Sequence, residues 1–199
     1  MRILLLGPMR PTVIAHMERH GDDVSLTEQP LYYASSVLDA TDFIVSYGYR
    51  HVLGKRLVSR FRGRMINLHI SLLPWNRGAD ANLWSFLEDT PKGVSIHYVD
   101  EGVDTGPLLA QRELRLRADE TLRTSYDKLG AAMEQLFFDA WPAIRGGTLP
   151  GITQRAGGSI HHLADKNPYM HLLTKGWDTP VAGLIGRAKY VPSLAPAYV

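Results

Sequence analysis

The 199-residue sequence predicts an α/β protein with a mostly parallel sheet, helices on both faces and an antiparallel hairpin at one end. Three observations carry that expectation. Short continuous apolar runs, "RILLLG" (2–7) and "DFIVSYG" (42–48), have the texture of strands buried on both faces. Helical patterns alternate with such runs, which implies crossover connections between parallel strands. Past residue 90, two strand patterns are separated only by the turn "EGVDTG" (101–106), which implies antiparallel neighbours.

The elements follow in order. After the first strand, "PTVIAHMERHG" (11–21) reads as a helix with Val13, Ile14 and Met17 on one face and Gly21 as its stop. "DFIVSYG" is the second strand, "KRLVSRF" (55–61) a short basic helix and "RMINLHI" (64–70) the third strand. "ADANLWSFLED" (79–89) is helical, and "KGVSIHYVD" (92–100) and "GPLLAQRELRL" (106–116) form the hairpin. The longest helical pattern, "TLRTSYDKLGAAMEQLFFDAWPAIRGG" (121–147), carries Pro142 where it would kink the helix. From Leu149 onward glycine and proline are dense and periodicity is weak, so a short irregular C-terminal tail is expected. The expected architecture is Rossmann-like, with one domain over 1–148 and an extension over 149–199 packed on or beside it.

Bulk properties narrow the function. Hydrophobic content of 45% and charged content of 21% fit a globular protein with a full core. A net charge of +2, spread along the chain, gives no case for a nucleic-acid or membrane partner. Zero cysteines exclude disulfides, thiolate catalysis and cysteine-ligated metals, and fit a reducing compartment. No run approaches the length of a signal sequence or membrane span, so a cytoplasmic protein is expected.

Three segments could carry chemistry. In the third strand Asn67 and His69 lie two residues apart, so their side chains share a face while Ile66, Leu68 and Ile70 point the other way. Burying an amide and an imidazole is unfavourable unless each finds a partner or meets a ligand. "SYGYRHVL" (46–53) leaves a parallel strand at the same edge, where open α/β sheets bind ligands. "SIHYVDEGVDTG" (95–106) adds His97, Asp100 and Asp104. Bland readings compete with each: a lone strand histidine is more often structural, and an acidic turn is ordinary turn chemistry. His69, His97 and Asp104 lack any recognised metal-ligand spacing, so no metal is expected. "LLLGPMRP" (4–11) follows a strand but lacks a phosphate-loop pattern.

Considered together, the pattern N-x-H-x-S-L-L-P over 67–74, Gly78 beyond the proline, and "VDTG" (103–106) resemble the formyltransferase family that uses 10-formyltetrahydrofolate. The resemblance covers roughly residues 1–145. In texture it is nearest to the short members, the amino-sugar N-formyltransferases and the formylation domain of linear gramicidin synthetase. Glycinamide ribonucleotide and methionyl-tRNA formyltransferases are more distant: the first carry a phosphate loop where this chain has "GPMRP", and the second add a C-terminal barrel that 149–199 is too short to form.

The resemblance implies a catalytic trio of Asn67, His69 and Asp104. It implies a folate slot from Gly48, Tyr49, His51 and Leu53 on one loop and Val99, Asp100 and Asp104 on the other, with His97 beside it. The loop "WNRGADANLW" (75–84) directly follows the catalytic strand, so Trp75, Asn76, Arg77 and Asn82 are expected to meet the acceptor. Arg77 in particular calls for a negative partner, such as a phosphate. The structural alternative has Asp80 capping the next helix while Leu83, Trp84 and Phe86 enter the core.

The implied reaction is formyl transfer from 10-formyltetrahydrofolate to a primary amine on a small or carrier-linked substrate. A nucleotide-linked amino sugar comes first and an aminoacyl group second. A hydrolase releasing formate from the same donor ranks low, because such enzymes carry an N-terminal regulatory domain and the first strand here begins at residue 2. A non-catalytic binding copy is disfavoured by the intact trio. A homodimer is compatible with the resemblance.

Overall fold

The computed structural model describes residues 1–188; the last eleven residues of the expected extension, 189–199, lie outside the described residues. The first half holds the expected elements and one more strand, β2: β1 (Arg2–Leu6), α1 (Pro11–Arg19), β2 (Asp23–Thr27), β3 (Phe43–Tyr47), α2 (Lys55–Arg60) and β4 (Met65–His69). The second half holds β5 (Arg77–Gly78), α3 (Ala81–Leu87), β6 (Gly93–Tyr98), β7 (Leu108–Glu113), α4 (Leu122–Arg145) and β8 (Ile160–His161). The main sheet runs β2-β1-β3-β4-β6-β7. Its first four strands are parallel, β6 is antiparallel to β4, and β7 to β6.

Strand β2 escaped the sequence reading because only Val24 and Leu26 are apolar. Both pack on the core while Asp23 faces solvent, the alternation of an edge strand rather than a buried run. Helix α4 begins at a capping box between Thr121 and Thr124 and continues to Arg145. Pro142 lies in its last turn, so the missing N–H removes only one bond near the end. Among the described residues, no helix is long and apolar enough to cross a membrane.

Two cores sandwich the sheet. On one face Ile3, Leu5, Val45, Ile66 and Leu68 pack against Met17 of α1 and Met133, Phe137 and Trp141 of α4. On the other, Leu4, Leu6, Ile44 and Met65 meet Leu38 of a 3-10 turn (Ser36–Ala40) and Leu57 and Phe61 at α2. This second layer covers only the β1–β3 side. Over β4 and β6 the same face carries Asn67, His69, Ser95 and His97, and loops cover it instead. A third cluster joins Leu83, Trp84 and Phe86 of α3 to Leu122 and to Val181 and Leu184 of the extension, so residues up to 188 pack on the domain.

Asp22 fastens α4 to the start of the sheet. Its fully buried carboxylate accepts from the Met1 ammonium (2.8 Å), Arg145 Nε (2.9 Å) and Trp141 Nε1 (3.1 Å). Burial alone would raise its pKa, but these three donors hold it below the ordinary value. Removing one partner of a buried pair costs about 3 kcal/mol, so Asp22→Ala should lower Tm by about 6–12 °C at neutral pH. Because the folded pKa is depressed, that contribution is complete above the ordinary carboxylate range and is lost as pH falls through the folded value. Calorimetric melts should therefore show the wild-type and variant Tm values converging in acid.

Candidate active site

The polar face of β4 ends at the carboxyl edge of the parallel strands. Register explains the grouping: Asn67 lies directly opposite His97 across the antiparallel β4–β6 pair, so both project to one face with His69. Asp104 reaches the group from the β6–β7 turn, with its backbone at φ 51° and its side chain 13% exposed.

Its two oxygens serve different partners. Oδ1 accepts from Asn67 Nδ2 (3.0 Å) and faces His97 Nε2 at 3.4 Å. Oδ2 accepts from the Gly78 N–H (2.8 Å) and faces His69 Nδ1 at 3.4 Å. Burial would push the Asp104 carboxyl up, but His69, His97 and the Gly78 N–H outweigh it and hold the group well below the ordinary carboxylate range. Asp104 is therefore ionised wherever the protein is folded near neutral pH. Gly78 is needed for this approach, because β8 pairs with β5 and a Cβ at residue 78 would collide with the His161 carbonyl.

Carbonyl partners assign the ring protons. His69 Nε2 lies 3.0 Å from the Asn76 carbonyl and His97 Nδ1 lies 2.7 Å from the Tyr98 carbonyl, and a carbonyl only accepts. Each of these nitrogens therefore carries a hydrogen. Asn67 Nδ2 donates to Asp104 and also contacts His97 Nε2 at 3.3 Å. One amide hydrogen is thus held by Asp104; the second meets His97 Nε2 only when that nitrogen carries no hydrogen, and it is the one that the expected donation to a substrate oxygen would use.

The residues expected at the acceptor side divide. Asn76 is 0% exposed: its Nδ2 donates to Glu88 and its Oδ1 accepts from Thr90 Oγ1 (2.7 Å). Asn82 is buried as well, with Nδ2 donating to the Leu122 carbonyl (3.0 Å) and Ser125 donating to its Oδ1. Both amides are satisfied by partners within the protein. Arg77 finds an internal partner: Nε and Nη2 donate to Gln154 Oε1 at 3.2 and 3.0 Å. Burial lowers its pKa, opposed by the carboxylates of Asp104 and Asp100. An external anion is thus not needed to balance it. Trp75 is half-buried in the same loop. Leu83, Trp84 and Phe86 are core residues, while Asp80 does not cap α3 and instead accepts from Lys166 Nζ (2.7 Å).

The expected folate residues line two adjacent loops. Tyr49, Leu53 and Val99 are half-buried and each packs against the second core, so loops 48–54 and 99–106 both present apolar surface. Tyr49 is fixed by donating to the Gln29 carbonyl (2.8 Å) and accepting from the Leu31 N–H (2.9 Å). His51 stands edge-on to Tyr49 at 5.2 Å, and Gly48 turns the chain at φ 71°. Asp100 instead ties its own turn, accepting from Thr105 Oγ1 (2.6 Å) and the Gly102 N–H (3.1 Å). No group of three His, Cys, Asp or Glu able to hold a metal occurs among the described residues.

Sequence reasoning missed the contribution of the extension. Gln154, Ser159 and His161 each meet this group or a neighbour of it: Gln154 donates to the Asp104 carbonyl, Ser159 accepts from the Asn76 N–H, and His161 pairs with Gly78. Only the polar texture of "TQRAGGSIHH" (153–162) hinted at such a role.

The crystal structure of the formyltransferase PseJ from Anoxybacillus kamchatkensis, in complex with UDP-4,6-dideoxy-4-formamido-L-AltNAc and tetrahydrofolate, superposes with a TM-score of 0.93. Sequence identity is 52%, over 95% of this chain and 100% of that one. The N-formyltransferase of Helicobacter canadensis shares the fold at a TM-score of 0.71 and 16% identity, over 94% of this chain and 79% of that one. Methionyl-tRNA formyltransferase of Myxococcus xanthus is 36% identical over 122 residues, 61% of this chain. The chain spans only 39% of that relative's length. A family model described as formyl transferase matches residues 19–141, which include Asn67, His69 and Asp104. The chain belongs to the formyl transferase family.

Proposed function

We propose that the protein transfers a formyl group from 10-formyltetrahydrofolate to the amine of a nucleotide-linked amino sugar. The observation that carries this reading is the full-length likeness to PseJ, a formyltransferase seen with a UDP-linked formamido sugar and tetrahydrofolate. The joined Asn67–His69–His97–Asp104 cluster supports the chemistry.

The apolar surface of Tyr49, Leu53 and Val99 fits a flat pterin ring, and loop 48–54, outside any strand or helix, offers backbone groups to its edge. Bound there, 10-formyltetrahydrofolate would supply an activated formyl carbon. The protein's part is to stabilise charge on the formyl oxygen and to move protons. Donors aimed at such an oxygen are each worth about 10²–10³ in rate. The 3.3 Å contact of Asn67 with His97 and the 3.4 Å contact of His69 Nδ1 with Asp104 are long, so exchange for a substrate oxygen sacrifices little. Asp104, ionised and between both histidines, is the group to take the proton of the attacking amine, directly or through water. His69 Nδ1, when protonated, is placed to return a proton to the departing nitrogen.

The test is an acceptor panel with 10-formyltetrahydrofolate: UDP-linked and dTDP-linked amino sugars, the same sugars without the nucleotide, and methionyl-tRNA. Mass spectrometry should show one added formyl group on a nucleotide-linked sugar. Formylation of methionyl-tRNA alone would overturn the sugar assignment.

Gly48 reports on the folate side. Its Cβ would meet Pro8 Cδ only at ordinary contact distance, but φ 71° strains a β-branched residue. Gly48→Asn tolerates that backbone and places a side chain at the proposed slot, whereas Gly48→Val adds strain to bulk. Both should weaken tetrahydrofolate binding by tenfold or more in calorimetry, with nucleotide-sugar binding nearly unchanged. Equal weakening of both ligands would contradict separate pockets.

A further inference from the structure

The geometry points to Gln154, a residue of the C-terminal extension outside the matched family span, as the positioning residue that holds Asp104 in its catalytic orientation. This inference deepens the formyl-transfer reading and rests on it for its kinetic arm only.

Gln154 is half-buried and uses both ends of its amide. Its Nε2 donates to the carbonyls of Asp104 (2.7 Å) and Gly106 (2.9 Å), gripping the β6–β7 turn from both sides of Thr105. Its Oε1 accepts two bonds from the Arg77 guanidinium, on the loop that follows the catalytic strand. One side chain therefore clamps the two loops whose separation sets the Gly78 N–H to Asp104 Oδ2 bond and the reach of Asp104 to His69.

The clamp has something to hold. Asp104 is one of four non-glycine residues with positive φ among the described residues, a conformation that an unrestrained aspartate leaves readily. Four carboxylate contacts pull its side chain, and the Gln154 donor fixes the backbone from which that side chain hangs. Gln154 is itself located by its own strand segment: Ile152 and Leu108 exchange backbone bonds at 2.7 and 2.8 Å. No bond in this set touches the atoms that would react, so the role is positioning.

Chemistry separates the two ends. Gln154→Glu keeps an acceptor for Arg77 but cannot donate to the two carbonyls. Gln154→Met keeps the length and removes both functions. A displacement of about 1 Å at a catalytic group costs on the order of 10²-fold in rate. Both variants should therefore lower kcat by roughly 10–100-fold while tetrahydrofolate affinity changes less than threefold. Loss through the fold alone would instead follow Tm, sparing Gln154→Glu, which retains the partner of the buried guanidinium.

A second readout needs no substrate. The groups facing the Asp104 carboxylate are the Asn67 amide and His69 from β4, His97 from β6, the Gly78 N–H from β5, and Arg77 at longer range. They hold it well below the ordinary carboxylate range only while the turn stays in place. In Gln154→Met, carbon-detected NMR titration should find Asp104 ionising at higher pH than in the wild type, and the acid limb of the kcat profile should move up with it. An Asp104 titration identical to wild type, in a folded Gln154→Met or Gln154→Glu, overturns the clamp whatever the enzyme's acceptor. A shifted titration in a protein that formylates no amine leaves the clamp standing and removes the transferase reading.

Discussion

Asp104→Asn lowers kcat by about 10²–10⁴, a loss at least as large as that expected of any other single change in the chain. Asparagine keeps the shape but replaces one oxygen with a donor. Oδ1 now accepts from Asn67 and Oδ2 from Gly78, so an amide nitrogen at either place sets donor against donor. It also removes the charge that answers His69 and His97, and with it the acceptor for the amine proton. Steady-state kinetics on the best acceptor checks this, and a rate within threefold of wild type would exclude Asp104 from proton transfer. Stability carries a second signature. Since the folded pKa of Asp104 is depressed, its contribution is complete above the ordinary carboxylate range and lost only when pH falls through the much lower folded value. The Tm gap between wild type and Asp104→Asn should accordingly stay open through mildly acid pH and close only in strong acid.

Removal of His69 or Asn67 comes next, with expected losses of about 10²–10⁴ for His69→Ala and about 10²–10³ for Asn67→Ala. Their structural costs differ, which helps to separate chemistry from folding. Asn67 is half-buried, and its partners His97 and Asp104 keep each other after truncation. Asn67→Ala should therefore melt within a few degrees of the wild type. His69 is buried and donates to the Asn76 carbonyl, so its removal leaves that acceptor unsatisfied and costs about 1–3 kcal/mol. If Asn67→Ala turned over at the wild-type rate, charge stabilisation at this strand would have to come from elsewhere.

Much of this arrangement was legible in the sequence, and the boundary of legibility has a physical cause. Strands β1, β3 and β4 announce themselves because parallel strands buried on both faces need continuous apolar runs. Asn67 and His69 stand out as polar interruptions of such a run, sharing a face by their spacing. Strand β2 hid because an edge strand buries one face and shows only Val24 and Leu26. The two-residue strands β5 and β8 are too short for any periodicity. The internal partners of Asn76, Asn82 and Arg77 are invisible in the sequence, because a polar residue just past such a strand reads as ligand-facing until its partner is known. Those partners are Ser159, Ser125 and Gln154, at sequence separations of 83, 43 and 77 residues. Hydrogen bonds that close such long loops leave no local pattern, so only the folded chain reveals them.

In the proposed reaction one acceptor amine is formylated at the Asn67–His69–Asp104 site at the expense of one 10-formyltetrahydrofolate. The most direct measurement follows both products in one reaction with a UDP-linked amino sugar: tetrahydrofolate by absorbance and formamido sugar by mass spectrometry. The account predicts equal molar amounts in the wild type and loss of both in Asp104→Asn. Tetrahydrofolate appearing with free formate and no formamido sugar would contradict it, because water would then be the acceptor.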